Sequence, residues 1–336
     1  MPEGIKRVLR WLLFGLLLAL AWQLLRPFFP AEEREVRSQL RETLSTQFPA
    51  AADASAQRFG LRRFAPHESA GRDVVLIHGL DDPGKVWMNM APALSQAGYR
   101  VWVLDYPNDQ AIGDSAVFLR RQLAAAAGLH DGLAIVAHSM GGLVSREMLG
   151  SLAADCGSAR CGVPQVTQLI MIGTPNHGSE MARLRGLGEV REQASRLLNG
   201  EAGWLDWIVD GAGEAGLDLL PGSDFLRTLN ARPQPPGVAM QVIAGVIGDQ
   251  QLQQIDRLLA DYAEGVARPA SGAGEAWGDG LVSLESARLA GVPLTRVAGN
   301  HLSIVRNVSE RSDRVPPAVP LVLQMLAAPQ PSISRP

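Results

Sequence analysis

A chain of 336 residues is long enough for one large domain or two small ones. It is 46% hydrophobic and 19% charged, the balance of a globular protein, and its formal net charge is −3. A slight negative charge without a basic stripe argues against a nucleic-acid partner. The lack of repeats and of zinc-type cysteine pairing argues against a repeat array or a zinc module.

The first thirty residues stand apart. "MPEGIKRVLR" is short and basic through Lys6, Arg7 and Arg10, and "WLLFGLLLALAWQLL" after it is almost wholly apolar. A basic start followed by an apolar run is the pattern of an export signal. Ala19-Leu20-Ala21 resembles a small-residue cleavage site, whose use would release the protein. The apolar stretch runs on through Leu25 to Phe28 and Phe29, so Trp11 to Phe29 is about one bilayer crossing long. Residues 1–30 are therefore predicted to form an uncleaved anchor in a bacterial-type inner membrane. The basic end stays cytoplasmic and the rest is exported to the periplasmic side. Cleavage and secretion is the competing outcome. In an oxidising compartment Cys156 and Cys161 of "CGSARC", close together on one loop, can join as a disulfide. Two free thiols are the alternative.

Residues 31–57 read as a stalk and linker. "AEEREVRSQLRETLSTQF" spaces its charges through a helix-like pattern, and "PAAADASA" follows. The main domain is predicted over 58–330. Apolar runs there alternate with helix-length segments: "DVVLIHG", "YRVWVLDYP", "GLAIVAHS", "QLIMIGTP", "AMQVIAGVIGD" and "PLTRVAGNH". Short apolar strands so separated predict an α/β fold, a mostly parallel sheet with helices on both faces. Ligands bind such sheets at the carboxyl ends of the strands. His78-Gly79, Asp105, Ser139, Thr174 and His301 all fall there. The interval 176–238 is too long for a plain connection and reads as a helical cap. Its most apolar cluster is Trp204, Leu205, Trp207 and Ile208. These side chains either pack the cap onto the core or, with Trp204 and Trp207 foremost, line an acyl pocket.

"AHSMGG", residues 137–142, ends the third strand. A serine hydroxyl needs a base to take its proton and must protrude where a substrate can reach it. A sharp strand-to-helix turn achieves this but crowds the neighbouring backbone. Small residues two before and two after the serine relieve the crowding. Here they are Ala137 and Gly141. The usual first residue is Gly, and the extra methyl of Ala137 is a small departure.

With "LIHGL", "AHSMGG", "IGTPNHGS", "LLPGSDFLRTLN" and "GDGLVSLESA" in this order, the chain from about Arg72 to His301 resembles the α/β-hydrolase superfamily, in its lipase and esterase branch. "LLPGSDFLRTLN" is similar to a segment of bacterial lipase-like proteins and of their relatives that deacylate GPI inositol. The resemblance implies a Ser, acid, His order for a catalytic triad. Of the six histidines, His301 alone follows every candidate acid. Asp279 in "GDGLVS" matches the family's acid loop, and Asp249, directly after a strand, is the competing acid. The resemblance assigns the oxyanion-holding N–H groups to Leu80 and Met140. His78 is read as bracing the oxyanion loop, His177 as bracing the start of the cap, and Asp105 and Asp109 as surface or loop-capping residues.

The resemblance implies a serine ester hydrolase working through an acyl-enzyme on lipid or other acyl esters. No cofactor and no metal are expected. Some lipases of this kind hold a structural calcium, but no ligand set for one is visible in the sequence. Two other readings stay open: an acyltransferase with the same triad, and an inactive membrane-tethered binding module. Oligomeric state is not legible.

Overall fold

The computed structural model describes residues 58–64, 71–80, 84–108, 110–156, 161–179, 214–248, 277–309 and 311–328, with isolated positions between 35 and 47. Glu35, Gln39, Thr43, Thr46 and Gln47 are helical and exposed. The anchor predicted at 1–30 and the linker at 49–56 lie outside the described residues. Among the described residues no helix is long and apolar enough to cross a membrane.

Seven strands form one sheet. They are β1 (Gly60–Arg63), β2 (Asp73–Ile77), β3 (Arg100–Asp105), β4 (Leu133–His138), β5 (Val166–Ile172), β6 (Ala239–Val246) and β7 (Leu294–Ala298), in the spatial order β1-β3-β2-β4-β5-β6-β7. β1 runs antiparallel to β3 at one edge, and the other pairings are parallel. All six strands expected from the apolar runs are present. β1 was not foreseen.

β2 shows why these runs are continuously apolar. Its side chains alternate between two faces, and both faces are covered. Val75 and Ile77 join one core with Leu133, Ile135 and Ala137 of β4. Helices α2 (Ile112–Ala125) and α3 (Met140–Cys156) close that face. Val74 and Leu76 join the opposite core with Ala134 and Val136, under α1 (Met90–Gln96) and α7 (Ala318–Ala327).

The helix after β2 thus lies on one face and the helix after β4 on the other, although the two strands are neighbours. Their outgoing loops diverge and open a crevice at the strand ends, the topological switch point of an open α/β sheet. Three short helices complete the described part: α4 (Glu214–Asp218), α5 (Asp224–Ala231) and α6 (Leu284–Ala287).

The end of the interval read as a cap is part of the core layer. Ala215 and Leu217 are buried, and the Asp218 carboxylate accepts from the Ile112 amide at the start of α2 (2.9 Å). A disulfide joins Cys156, at the end of α3, to Cys161.

At the opposite end of β2 a buried carboxylate ties three segments together. Asp73 accepts from Arg100 Nε and Nη2 (2.8 and 2.7 Å), from Trp102 Nε1 (2.9 Å) and from the His130 amide (3.0 Å). Burial alone would raise its pKa. The donors from Arg100, Trp102 and His130 outweigh burial and hold it at about 2. A depressed folded-state pKa stabilises the fold above the ordinary carboxylate range, and that contribution fades as pH falls toward 2. Asp73→Asn is expected to cost about 2 kcal/mol at pH 7. It should also flatten the loss of stability between about pH 4 and pH 2. Urea unfolding of both proteins across that range checks this.

Candidate active site

β4 carries Ser139 to the crevice. The strand is wholly buried, and the Ser139 amide still donates to the Ile172 carbonyl of β5 (2.8 Å). The chain then enters α3 at the next residue. To do so Ser139 takes φ 54°, a left-handed conformation that L-residues other than Gly adopt at a cost. The turn brings three backbones together. A Cβ at Gly141 would lie 2.4 Å from the Ile77 carbonyl oxygen and 2.5 Å from that of His78. One at Gly142 would lie 2.1 Å from Thr174 Oγ1, and one at Gly79 2.6 Å from Ser139 Cβ. Thr174 Oγ1 donates to the Ser139 carbonyl (3.0 Å). Ala137, the departure from the usual pattern, is accommodated within the core.

β6 and β7 supply the second half. The loop after Trp277 turns through Gly278 and Gly280, both with positive φ, and buries Asp279 between them. Asp279 Oδ2 lies 2.7 Å from His301 Nδ1. Its Oδ1 accepts from the amides of Leu281 (2.9 Å) and Val282 (2.8 Å). The His301 amide donates to the Asp279 carbonyl (3.0 Å), so acid and base are joined through backbone as well as side chain. Room for the pair comes from two glycines. A Cβ at Gly245 would stand 2.7 Å from Asp279 Cβ, and one at Gly173 would stand 3.2 Å from the His301 ring. Ser139 is bonded to Ile172 and Thr174, and His301 lies over Gly173 between them. The end of β5 therefore seats both. Asp249, the competing acid, lies outside the described residues.

The segment after β2 lies against the turn. His78 Nδ1 donates to the Gly79 carbonyl (2.7 Å), its ring stacks on Tyr106 at 4.5 Å, and Tyr106 Oη donates to the His78 carbonyl (2.8 Å). His78 thus braces the loop that presents Leu80. Asp105, at the end of β3, is half-buried, is an ion-pair partner of the exposed Arg62 and lies 4.0 Å from His78 Nε2. Met140 opens α3, where the first amides have no partner within the helix.

Sequence reasoning missed one buried network. Arg146, seven residues beyond Ser139 on α3, donates to Asn176 Oδ1 (2.9 Å) and Asn230 Oδ1 (2.8 Å). Asn176 in turn donates to the Ala287 carbonyl of α6 (2.8 Å). This joins the helix after Ser139, the loop after β5 and α6, the helix that follows the Asp279 loop. Burial lowers the Arg146 guanidinium to about 10. The available signal was an Arg in the mostly apolar "GLVSREML". His177 is exposed, and its ring nitrogen lies 3.4 Å from Asn230 Nδ2. Trp204 and Trp207 lie outside the described residues. Among the described residues no group of three or more His, Cys, Asp or Glu could hold a metal ion.

Residues 74–285 match the model of the alpha/beta hydrolase family, and the chain belongs to that family. Its fold is similar to that of Bacillus licheniformis lipase BlEst2 in mature form. The TM-score is 0.52 at 22% identity, covering 79% of this chain and 97% of that one. It is also similar to the phospholipase PlaB from Legionella pneumophila, with TM-score 0.51 at 18% identity, covering 77% of this chain and 60% of that one. At these identities the likeness is one of fold. No curated protein matches the sequence.

The crowding at the turn has a measurable consequence. Gly141→Ala pushes a methyl group into two backbone carbonyls and is expected to cost about 2 kcal/mol. Ala137→Gly, which restores the usual pattern, should change stability by no more than about 1 kcal/mol. Denaturant midpoints of the two variants check the contrast.

Proposed function

We propose that the protein is a serine ester hydrolase in which Ser139 is the nucleophile, His301 the general base and Asp279 the residue that orients the base. The observation that carries this reading is the 2.7 Å contact of Asp279 with His301 Nδ1, on a strand end beside the strained Ser139 turn. A histidine whose Nδ1–H is committed to a carboxylate presents Nε2 as the proton acceptor.

Ser139 Oγ attacks the acyl carbonyl and passes its proton to His301 Nε2. Asp279 Oδ2 then faces the imidazolium, while its Oδ1 stays anchored by the two loop amides. The oxyanion is held by the amides of Leu80 and Met140, at the two loop ends that converge on Ser139. The leaving alkoxide takes the proton from His301, leaving an acyl-enzyme. Water, deprotonated by the same histidine, releases the acid.

Lipid and other acyl esters are the proposed substrates. The apolar N-terminal segment supports this reading. It would hold the domain at a membrane, on the exported side, where such esters reside. The lipase and phospholipase of similar fold set the first panel to assay.

Ser139→Ala is expected to remain folded and to take up no fluorophosphonate probe, where the wild type is labelled. Asp279→Asn keeps the shape but favours the wrong histidine tautomer, with an expected loss of about 10⁴-fold in turnover. Probe labelling followed by a chain-length series of acyl esters measures both. Persistent labelling of Ser139→Ala overturns the nucleophile assignment.

The anchor has its own test. Intact mass of membrane-extracted protein is expected to show the N-terminal segment retained. A mature chain starting at Trp22 would establish cleavage instead.

A further inference from the structure

His138 is the last residue of β4 and the covalent neighbour of Ser139. Its side chain packs against that of His301. Its Nε2 lies 3.0 Å from the His301 carbonyl oxygen, and the two rings are 4.7 Å apart at 45°. It is buried. A carbonyl can only accept, so Nε2 carries the hydrogen. Nδ1 has no hydrogen-bond partner among the described residues. This is the pattern of one neutral tautomer. Burial first, and the His301 ring next to it, push this imidazole well below the usual histidine range.

His301 needs such a hold. It sits in the turn that follows β7, after Gly299 at φ 144° and Asn300. Asp279 fixes its ring at Nδ1 and its amide through backbone. Neither contact joins His301 to the strand that carries Ser139. The contact at the His301 carbonyl does, because it comes from the residue bonded to Ser139 itself.

We propose that His138 is a positioning residue, a fixed neutral imidazole whose Nε2–H holds the His301 backbone and so sets the base at proton-transfer distance from Ser139. The inference rests on the serine-hydrolase reading above. A neutral ring in this position also adds no like charge beside His301 when His301 takes up the serine proton. Its basic nitrogen, Nδ1, is buried out of reach of substrate, so His138 is not an alternative base.

The test compares full-length wild type, His138→Phe and His138→Gln. Phe keeps a ring of similar size but has no donor. Gln places an N–H at a similar reach. The readouts are the rate of fluorophosphonate labelling, kcat and KM on one short acyl ester, and the melting temperature. His138→Phe is expected to lower labelling rate and kcat together by about 10- to 100-fold with KM within about two-fold, the scale set by a small misplacement of reacting groups. His138→Gln is expected to recover labelling to within about three-fold of wild type at a melting temperature no higher than that of the Phe variant.

A mere packing role would move the melting temperature without this rescue and without the split between kcat and KM. Equal labelling of His138→Phe and wild type overturns the inference alone. So does equal loss in both variants. Failure of the wild type to label at all overturns the serine-hydrolase reading, and the inference with it. Should the Phe ring not be accommodated, His138→Leu takes its place with the same expectations.

Discussion

At Ser139 the backbone leaves a buried strand with φ 54° and is helical at the next residue. Nearly everything around the crevice is shaped by that one reversal. The chain cannot turn so sharply without driving the start of α3 against the end of β2. Glycine at 141 is required because the carbonyls of Ile77, which ends β2, and of His78 lie where its side chain would be. Glycine at 79 is required because the Ser139 side chain lies where its own would be. The left-handed residue is strained, and the surrounding contacts over-determine it. Its amide is held by β5, and its carbonyl accepts from both Thr174 and the Gly142 amide.

The two buried carboxylates show how one sheet serves two ends. Asp73, at the amino end of β2, is saturated by Arg100, Trp102 and His130, and it acts as a structural tie between β2, β3 and the loop before β4. Asp279, at the carboxyl end, receives two amides on one oxygen and a histidine on the other. Both carboxylates are equally buried and both face a histidine ring, but the His130 ring against Asp73 is exposed, whereas the His301 ring against Asp279 is buried over the strand end that also holds Ser139. That difference in partner, more than burial of the carboxylate, separates a stability site from a candidate chemical one.

Arg146 belongs to the same economy of the crevice. It is a buried cation whose two hydrogen bonds end on neutral amides, Asn176 and Asn230. Through Asn176 it reaches the carbonyl of Ala287, at the end of α6, eight residues after Asp279 in the chain. The helix after Ser139, the loop after Thr174 and the helix that follows the Asp279 loop therefore share one polar junction with Asn230 of α5.

Six of the seven strands were legible as short, mostly apolar runs separated by helix-length segments; five of them are largely buried, and β7 is a half-exposed edge strand. β1 was not. "GLRR" is short, half-exposed and charged, and it is a strand because the free edge of β3 pairs with it. The Ser139 turn was legible for a local reason: the residues that relieve its crowding lie within three positions of it. The order of Ser139, Asp279 and His301 was also readable, through likeness of motifs. Their contact was not, because 22 residues separate Asp279 from His301 and only the adjacent ends of β6 and β7 bring them together. The partner of the His138 side chain and those of Arg146 were likewise invisible. Both depend on segments distant in the chain. Local steric demands and burial patterns are written in neighbouring residues; hydrogen-bond partners across a sheet are decided only when the strands take their order.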